Sequence, residues 1–416
     1  MAQARLRDAG GSAAALVPLR ALPSPQSMAL VGACVLVIAL CFLPLTPMYD
    51  FNVFLHAGRV LLRGLSVYPN PRSPAVYSGS SFVYPYLISW PFAALALLPG
   101  WAARLLFFLL GALAVVAATL IAGRRDAIVT VLVLATAFTI TGLQLGALSP
   151  LLFAGAVLLW ALRERPRAFG ITAALVVASK LFLASLLLWP LLAWRRRAFA
   201  WACSLSAAII LAGFLVGPLG PGGYLHLLVA LGRHESGSGF SLMGALKMLG
   251  MGSLSAESAV VGCAAMVLGY SYLSYRRCGE EAMLFSGGII ASLLATPILW
   301  SHYLALLAAI LLVNGAPRRW FVALALASWV ISPPHGITIP FPPSKAVPAH
   351  GAWLTLIGAL VVCAYALSRR ARAPGRGMEV QSPGAPAAGT CGTQLVEAQA
   401  EPILTLPSAA LRRARR

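Results

Sequence analysis

Residues 28–46 read MALVGACVLVIALCFLPLT, an uncharged stretch that is closely followed by Asp50. A helix of about 20 apolar residues crosses the hydrocarbon core of a bilayer. A carboxylate at the end of such a helix is unfavourable unless it is paired or used. The segment therefore predicts a first membrane span with a candidate catalytic acid, Asp50, at its outer end.

The composition of the whole chain indicates the same class. Of its 416 residues, 60% are hydrophobic and 10% are charged, and the mean hydropathy is +0.85. Soluble domains are much less apolar. The sequence predicts an all-α, polytopic integral membrane bundle with about 12 transmembrane helices, roughly 11 to 13.

The predicted spans are the apolar stretches of the sequence. They are 28–46, 102–122, 127–143, 147–162, 168–180, 181–194, 198–217, 258–275, 282–298, 301–314, 319–332 and 351–368. Several are short, so we expect tilted or broken helices among them. The apolar segment 84–98 contains Pro85 and Pro91, which favours a re-entrant or strongly tilted segment; the alternative is a thirteenth span.

The net charge of +20 comes from arginine clusters in the gaps between apolar stretches. That distribution is typical of cytoplasmic loops and argues against nucleic acid as a partner. It places both termini in the cytoplasm and leaves 47–83, 218–257 and 333–350 outside. The clusters are Arg5, Arg7 and Arg20; Arg124 and Arg125; Arg163, Arg165 and Arg167; Arg195, Arg196 and Arg197; Arg276 and Arg277; Arg318 and Arg319; and Arg369, Arg370 and Arg372.

Three regions follow from this pattern. Residues 1–27 form a basic cytoplasmic segment, 28–373 form the membrane domain, and 374–416 form a basic tail that is rich in Pro, Gly and Ala and that we expect to be disordered. The seven cysteines lie in apolar or cytoplasmic stretches and predict neither a disulfide framework nor a metal site.

The first outer segment, 49–64, predicts a helix lying in the interface of the membrane. Arg59 and Arg63 share one side of it, and Gly64 can end it. The opposite side carries Phe51, Phe54, Leu55, Leu61 and Leu62. Two interpretations of Asp50 remain open at this point: an N-cap for the helix, since Asp is favoured there, or a catalytic group.

Four further polar residues are candidates for binding. Lys180 interrupts the apolar run 168–194 and is either a snorkelling lysine or a ligand for a lipid phosphate. Gln144 either forms an interhelical hydrogen bond or faces a ligand. His302 is either an ordinary buried histidine or a ligand for phosphate or sugar. His234 lies in the polar segment 233–242, a substrate loop or a solvated connector.

The order of these motifs resembles the glycosyltransferase family 87 pattern over about residues 45–310. The matching segments are Asp50, Gly64-Leu65-Ser66-Val67-Tyr68-Pro69, Phe82-Val83-Tyr84-Pro85-Tyr86, Gln144 to Pro150, Ala178-Ser179-Lys180, Phe240-Ser241-Leu242 and Trp300-Ser301-His302-Tyr303. Tyr86 replaces the second proline of the family's Tyr-Pro-Pro segment, and the histidine segment has one His where relatives often show two.

The resemblance implies a GT-C fold enzyme of the plasma membrane. It implies transfer of a hexose, typically mannose, from a polyprenyl monophosphate to a glycolipid or polysaccharide on the extracytoplasmic face. Asp50 would be the catalytic acid residue, and Lys180 and His302 would bind substrate, with Arg59, Tyr84, Gln144 and His234 as further candidates. We expect no cofactor and no obligatory metal, because the donor lacks a diphosphate.

The competing class is a transporter or lipid flippase. Such proteins place ionisable groups near the bilayer midplane on broken helices and often contain internal repeats. The sequence shows no convincing repeat, and its outer ionisable residues cluster at the rim. This pattern favours the enzyme.

Overall fold

The computed structural model describes residues 24–45, 48–70, 73–77, 81–236 and 239–334. The predicted span 351–368, the predicted tail 374–416 and most of the predicted segment 1–27 lie outside these residues. Within the described part, the regular elements are α-helices and 3₁₀ helices, so the all-α class is confirmed.

The α-helices are numbered α1 to α16 in chain order. They are Pro25–Phe42, Tyr49–Leu62, Ser89–Leu95, Gly100–Ile121, Ala127–Leu134, Ala137–Leu145, Ser149–Ala161, Pro166–Ser179, Leu188–Leu192, Arg196–Val216, Pro221–Glu235, Leu242–Met248, Ser253–Cys278, Glu281–Ala295, Leu306–Val313 and Arg318–Ile331. The 3₁₀ helices are Leu43–Leu45, Pro74–Tyr77, Tyr86–Ile88, Leu181–Leu187 and Ser301–Ala305.

Long apolar helices make this a helical membrane protein. In the described part, four are long and apolar enough to cross a membrane: Pro25–Leu45, Gly100–Ile121, Arg196–Val216 and Ser253–Cys278. They expose large apolar side chains, as a lipid-facing surface does; Leu215, for example, is 85% exposed. The other predicted stretches in the described part form shorter or bent helices, so the number of about 12 is not confirmed.

The predicted span 127–143 is bent by 61° between α5 and α6. The backbone groups at the break find partners on α16. The indole nitrogen of Trp329 donates to the carbonyl of Ala135 (2.8 Å), and the Ser328 hydroxyl accepts from the backbone N–H of Ala137 (2.8 Å). A broken helix is stable in an apolar bundle when neighbouring side chains replace the missing hydrogen bonds.

The segment 84–98 forms a 3₁₀ turn and the short helix α3, which end at Leu95. Residues Tyr86–Leu95 are too few for a full span, in keeping with a segment that does not cross the membrane. This segment packs against α2 where Gly58 directly contacts the backbone of Phe92. A side chain at position 58 would push the two helices apart.

Helix α2, Tyr49–Leu62, is the predicted first outer helix, and Gly64 follows it with φ +70°. Its buried face is partly as predicted: Phe51, Phe54 and Leu55 are buried, but Leu62 is 53% exposed. The N-cap interpretation of Asp50 is wrong. The cap position is Met48, no side chain caps the helix, and Asp50 lies inside the first turn.

Gly146 fixes the start of α2 against the end of α6. It has φ +64°, and a Cβ at this position would lie 2.5 Å from the Cβ of Phe51 and 2.9 Å from the Cε of Met48. Glycine meets both requirements, because it has no side chain and adopts positive φ without strain. Since Phe51 directly follows Asp50, this contact sets the position of the carboxylate.

Arg195 links the start of α14 to the segments that precede α8 and α10. Its guanidinium forms paired hydrogen bonds with Glu281 (2.6 and 2.6 Å) and with Glu164 (2.7 and 2.6 Å). Glu281 also accepts from the Trp189 indole (2.9 Å). Bidentate arginine–carboxylate pairs are directional as well as strong. They join the start of α14 to the loops before α8 and α10.

We expect Gly146→Ala to lower the free energy of unfolding by about 3 kcal/mol, because alanine is strained at this φ and its methyl group overlaps α2. Thermal unfolding in detergent measures the loss. Gly262→Ala is the matched control, since a Cβ at Gly262 meets nothing within 4 Å, and it should be neutral or slightly stabilising. Equal stability of both variants would contradict this account of the α2–α6 contact.

Candidate functional site

A cavity of about 420 Å³ opens between α2, the end of α8, α11 and the segment that follows α14. Its size is within the range of small-molecule sites. The lining residues are Asp50, Val53, Phe54, Val76, Ser81, Val83, Tyr84, Pro85, Ser179, Lys180, Leu181, Phe182, Tyr224, Leu228, Leu231, Glu235, Ala295, Thr296, Pro297, Ile298, Trp300 and Tyr303. A largely apolar wall thus surrounds a few ionisable groups.

Asp50 faces this cavity from the first turn of α2, and its side chain is 26% exposed. The N-terminal turn of a helix favours a negative charge. The Oδ2 atom lies 4.0 Å from Nε2 of His302, whose side chain is only 3% exposed. His302 is held in the 3₁₀ turn Ser301–Ala305, against the ring of Tyr303 (4.3 Å between centroids).

Lys180 reaches the cavity from a chain reversal. Helix α8 ends at Ser179, Lys180 is extended (φ −157°, ψ 105°), and a 3₁₀ helix begins at Leu181. This break agrees with the predicted boundary between the stretches 168–180 and 181–194. The Lys180 Nζ donates to the hydroxyl of Tyr84 (3.2 Å) and lies 4.3 Å from the centre of the Tyr84 ring and 5.1 Å from that of Tyr303. Aromatic faces stabilise an ammonium ion in such surroundings.

The hydroxyl of Tyr84 is also hydrogen-bonded to that of Tyr303. Tyr84 is held in place by Phe54, 4.7 Å away between ring centroids, and its carbonyl accepts from the Tyr68 hydroxyl (2.7 Å). The hydroxyl that faces Lys180 therefore belongs to a residue fixed at both its side chain and its backbone.

Burial raises the pKa of Asp50 from its ordinary value of 3.8 to about 6, and the positive charge of Lys180 acts in the opposite direction. Loss of hydration disfavours the carboxylate, whereas a nearby cation favours it. Asp50 therefore changes charge close to neutral pH, in the range that suits a general base.

The structure brings together four of the predicted site residues: Asp50, Lys180 and Tyr84 line the cavity, and His302 touches Asp50. The other three lie elsewhere. Arg59 is exposed on α2, Gln144 is buried and donates to the carbonyl of Phe42 (3.3 Å), and His234 is exposed beside Tyr77 (4.6 Å between ring centroids). None of these three lines the cavity.

Tyr303, Trp300, Glu235 and Tyr224 also line the cavity and were not among the sequence candidates. Tyr303 and Trp300 lie close to the candidate His302 in the sequence, and this proximity could have predicted that they belong to the same site. Glu235 is one of the few carboxylates of the predicted outer segments, which was a second signal. Tyr224 has no local signal; it reaches the site because its hydroxyl donates to the carbonyl of Val83 (3.0 Å).

This arrangement combines one carboxyl group whose pKa burial raises to about 6, one ammonium group and several aromatic hydroxyls in one apolar-walled cavity. It can accept a proton from a bound hydroxyl and hold an anion at the same time. Comparison of the chain with protein-family models, with characterised proteins and with solved structures gives no match.

The raised pKa of Asp50 predicts a pH-dependent stability. Between pH 3.8 and 6 the folded state binds more protons at Asp50 than the unfolded state, so stability falls as pH rises. Between about pH 4.5 and about pH 6.5, the free energy of unfolding of the wild type should fall by about 2 kcal/mol relative to that of Asp50→Asn. Unfolding in detergent at both pH values measures the difference.

A His302→Gln background removes the adjacent imidazole and serves as the control. In that background, the Asp50→Asn change should produce the same difference in pH dependence. Parallel stability curves for wild type and Asp50→Asn would show that Asp50 keeps an ordinary pKa.

Proposed function

We propose that the protein is a membrane glycosyltransferase that transfers a hexose, with mannose as the expected sugar, from a polyprenyl monophosphate to a hydroxyl of a glycolipid or polysaccharide. Asp50 is the general base and Lys180 holds the donor phosphate. We also propose that the protein is related to glycosyltransferase family 87, which its motifs resemble. It would then form a GT-C type bundle with about 12 spans in the plasma membrane.

One observation carries the proposal: Asp50 and Lys180 line the same cavity. A sugar bonded to a lipid phosphate brings its own anionic leaving group. The protein then needs a base for the acceptor hydroxyl and a cation for the departing phosphate. The cavity supplies one of each.

The reaction is a single displacement. The acceptor oxygen bonds to the anomeric carbon and passes its proton to a carboxylate oxygen of Asp50. The bond between that carbon and the phosphate oxygen breaks, and its electron pair leaves with the polyprenyl phosphate. Lys180 and the Tyr84 hydroxyl stabilise the added negative charge. Attack opposite the leaving group inverts the anomeric centre.

His302 supports the base in this scheme. Its imidazole stands 4.0 Å from the Asp50 carboxylate and is packed against Tyr303, so it can orient one carboxylate oxygen and leave the other for the acceptor. The reaction requires no divalent ion, since the leaving group is a monophosphate.

The direction of α8 supports the proposed orientation in the membrane. Helix α8 begins at Pro166, beside the arginine cluster 163–167, and ends at Ser179, beside the cavity. If the arginine clusters mark the cytoplasmic side, the cavity opens on the extracytoplasmic side. The proposal keeps both termini in the cytoplasm, as the distribution of arginines along the sequence predicts.

We expect Asp50→Asn to lower sugar transfer at least about 100-fold, because the amide cannot accept the proton, while binding of the donor persists. Transfer of radiolabelled mannose from polyprenyl-phosphate-mannose to extracted membrane lipids measures it. In wild type, kcat/KM should rise with pH up to an apparent pKa of about 6, because Asp50 must be ionised.

Glu257→Gln is the matched control, since Glu257 is an exposed carboxylate of α13 outside the cavity. It should retain full transfer. Full transfer by Asp50→Asn would rule out Asp50 as the base. Binding of the donor by wild type without any labelled product would favour the transporter class.

Lys180→Met should lower kcat/KM for the donor by about 100-fold or more, because the leaving phosphate loses its cation. It should also move the acidic limb of the pH profile to higher pH, since Lys180 lowers the pKa of Asp50. Initial rates at varied donor concentration and pH measure both effects. Lys247→Met, a lysine on α12 that does not line the cavity, should change neither.

A further inference from the structure

One wall of the cavity is a single stripe of α11. Tyr224, Leu228, Leu231 and Glu235 all line the cavity, and their spacing places them on one helix face. Glu235 is therefore directed into the same space as Asp50, from a different element. The mechanism above gives it no role.

The C-terminal end of α11, where Glu235 stands, is an unfavourable place for a carboxylate, because the helix dipole is negative there. Arg233 and His234, its neighbours in the last turn, are exposed, whereas Glu235 is partly buried at the cavity. Of these three neighbours, Glu235 is the one that lines the cavity.

The end of α11 is fixed beside the segment 296–300. Gly232 packs on Pro297, and the backbone N–H of Phe240 donates to the carbonyl of Leu299 (2.6 Å). The next residue of that segment, Trp300, also lines the cavity and is partly buried. A carboxylate and an indole ring thus belong to adjoining walls.

We propose that Glu235 and Trp300 form an acceptor subsite that takes a neutral sugar ring. This inference rests on the proposed function and assigns the sugar ring of the acceptor to these two side chains, which a simple lipid alcohol would not engage. The carboxylate accepts hydrogen bonds from ring hydroxyls, and such charge-assisted bonds are strong. The indole offers an apolar face to the C–H face of the ring and a donor at its edge.

Charge decides which substrate occupies which part of the cavity. The donor phosphate is attracted to Lys180 and repelled by Glu235. The acceptor region next to Glu235 therefore suits an uncharged, hydroxyl-rich group. Asp50, which must contact the acceptor hydroxyl, belongs to a separate wall formed by α2.

Binding of octyl α-mannoside to the full-length protein in lipid nanodiscs tests the subsite. Nanodiscs avoid alkyl glycoside detergents, which would compete. Wild type should bind the mannoside, and octanol at equal concentration should not displace it. Glu235→Gln should weaken binding by about tenfold, as expected for losing a charge-assisted hydrogen bond. Glu257→Gln is the control and should bind as wild type does.

Transfer kinetics give the second readout. With polyprenyl-phosphate-mannose as donor and octyl α-mannoside as acceptor, Glu235→Gln should raise the acceptor KM about tenfold and leave the donor KM within about twofold. Trp300→Leu should also raise the acceptor KM. A variant that had merely lost its fold would change both KM values and its unfolding temperature.

The two proposals fail in different ways. Equal mannoside binding by wild type and Glu235→Gln, or displacement by octanol, would overturn the subsite whether or not transfer occurs. Mannoside binding that depends on Glu235, without transfer from the donor, would support the subsite and overturn the proposed glycosyl transfer.

Discussion

Asp50 and Lys180 bring opposite charges to one cavity of a chain that is 60% hydrophobic. Each charge is unfavourable alone in an apolar wall, and each lowers the electrostatic cost of the other. They do not form a closed ion pair: Lys180 hydrogen-bonds to Tyr84, and Asp50 adjoins His302. The two charges therefore influence each other without a direct ion pair.

Close packing keeps these groups at fixed positions. Gly146 and Gly58 let α2 lie directly on its neighbours, and Arg195 ties the far ends of the short helices that turn back at Lys180. Side chains held from two ends lose little further freedom when a ligand binds. The groups that line the cavity are therefore held in place before any ligand binds.

The local features of this site were visible in the sequence. An acid after an apolar stretch, a lysine within one and a helix ending at Gly64 each have a physical reason that a single sequence carries. The bend between α5 and α6 was not visible, because its stability depends on Ser328 and Trp329, far away in the chain. The sequence also could not show that Arg59 and Gln144 lie away from the cavity. Periodicity identifies one face of a helix, but it does not identify the element against which that face packs.

The elements that line the cavity are all short, broken or irregular, and within the described residues none of the four long spans contributes a lining side chain. A continuous membrane helix satisfies its backbone internally and offers lipid a uniform apolar surface. Helix ends and 3₁₀ turns let side chains from different heights converge, as Lys180, Trp300 and Asp50 do. The long helices therefore hold the protein in the membrane, whereas the ends of shorter and interrupted helices form the cavity.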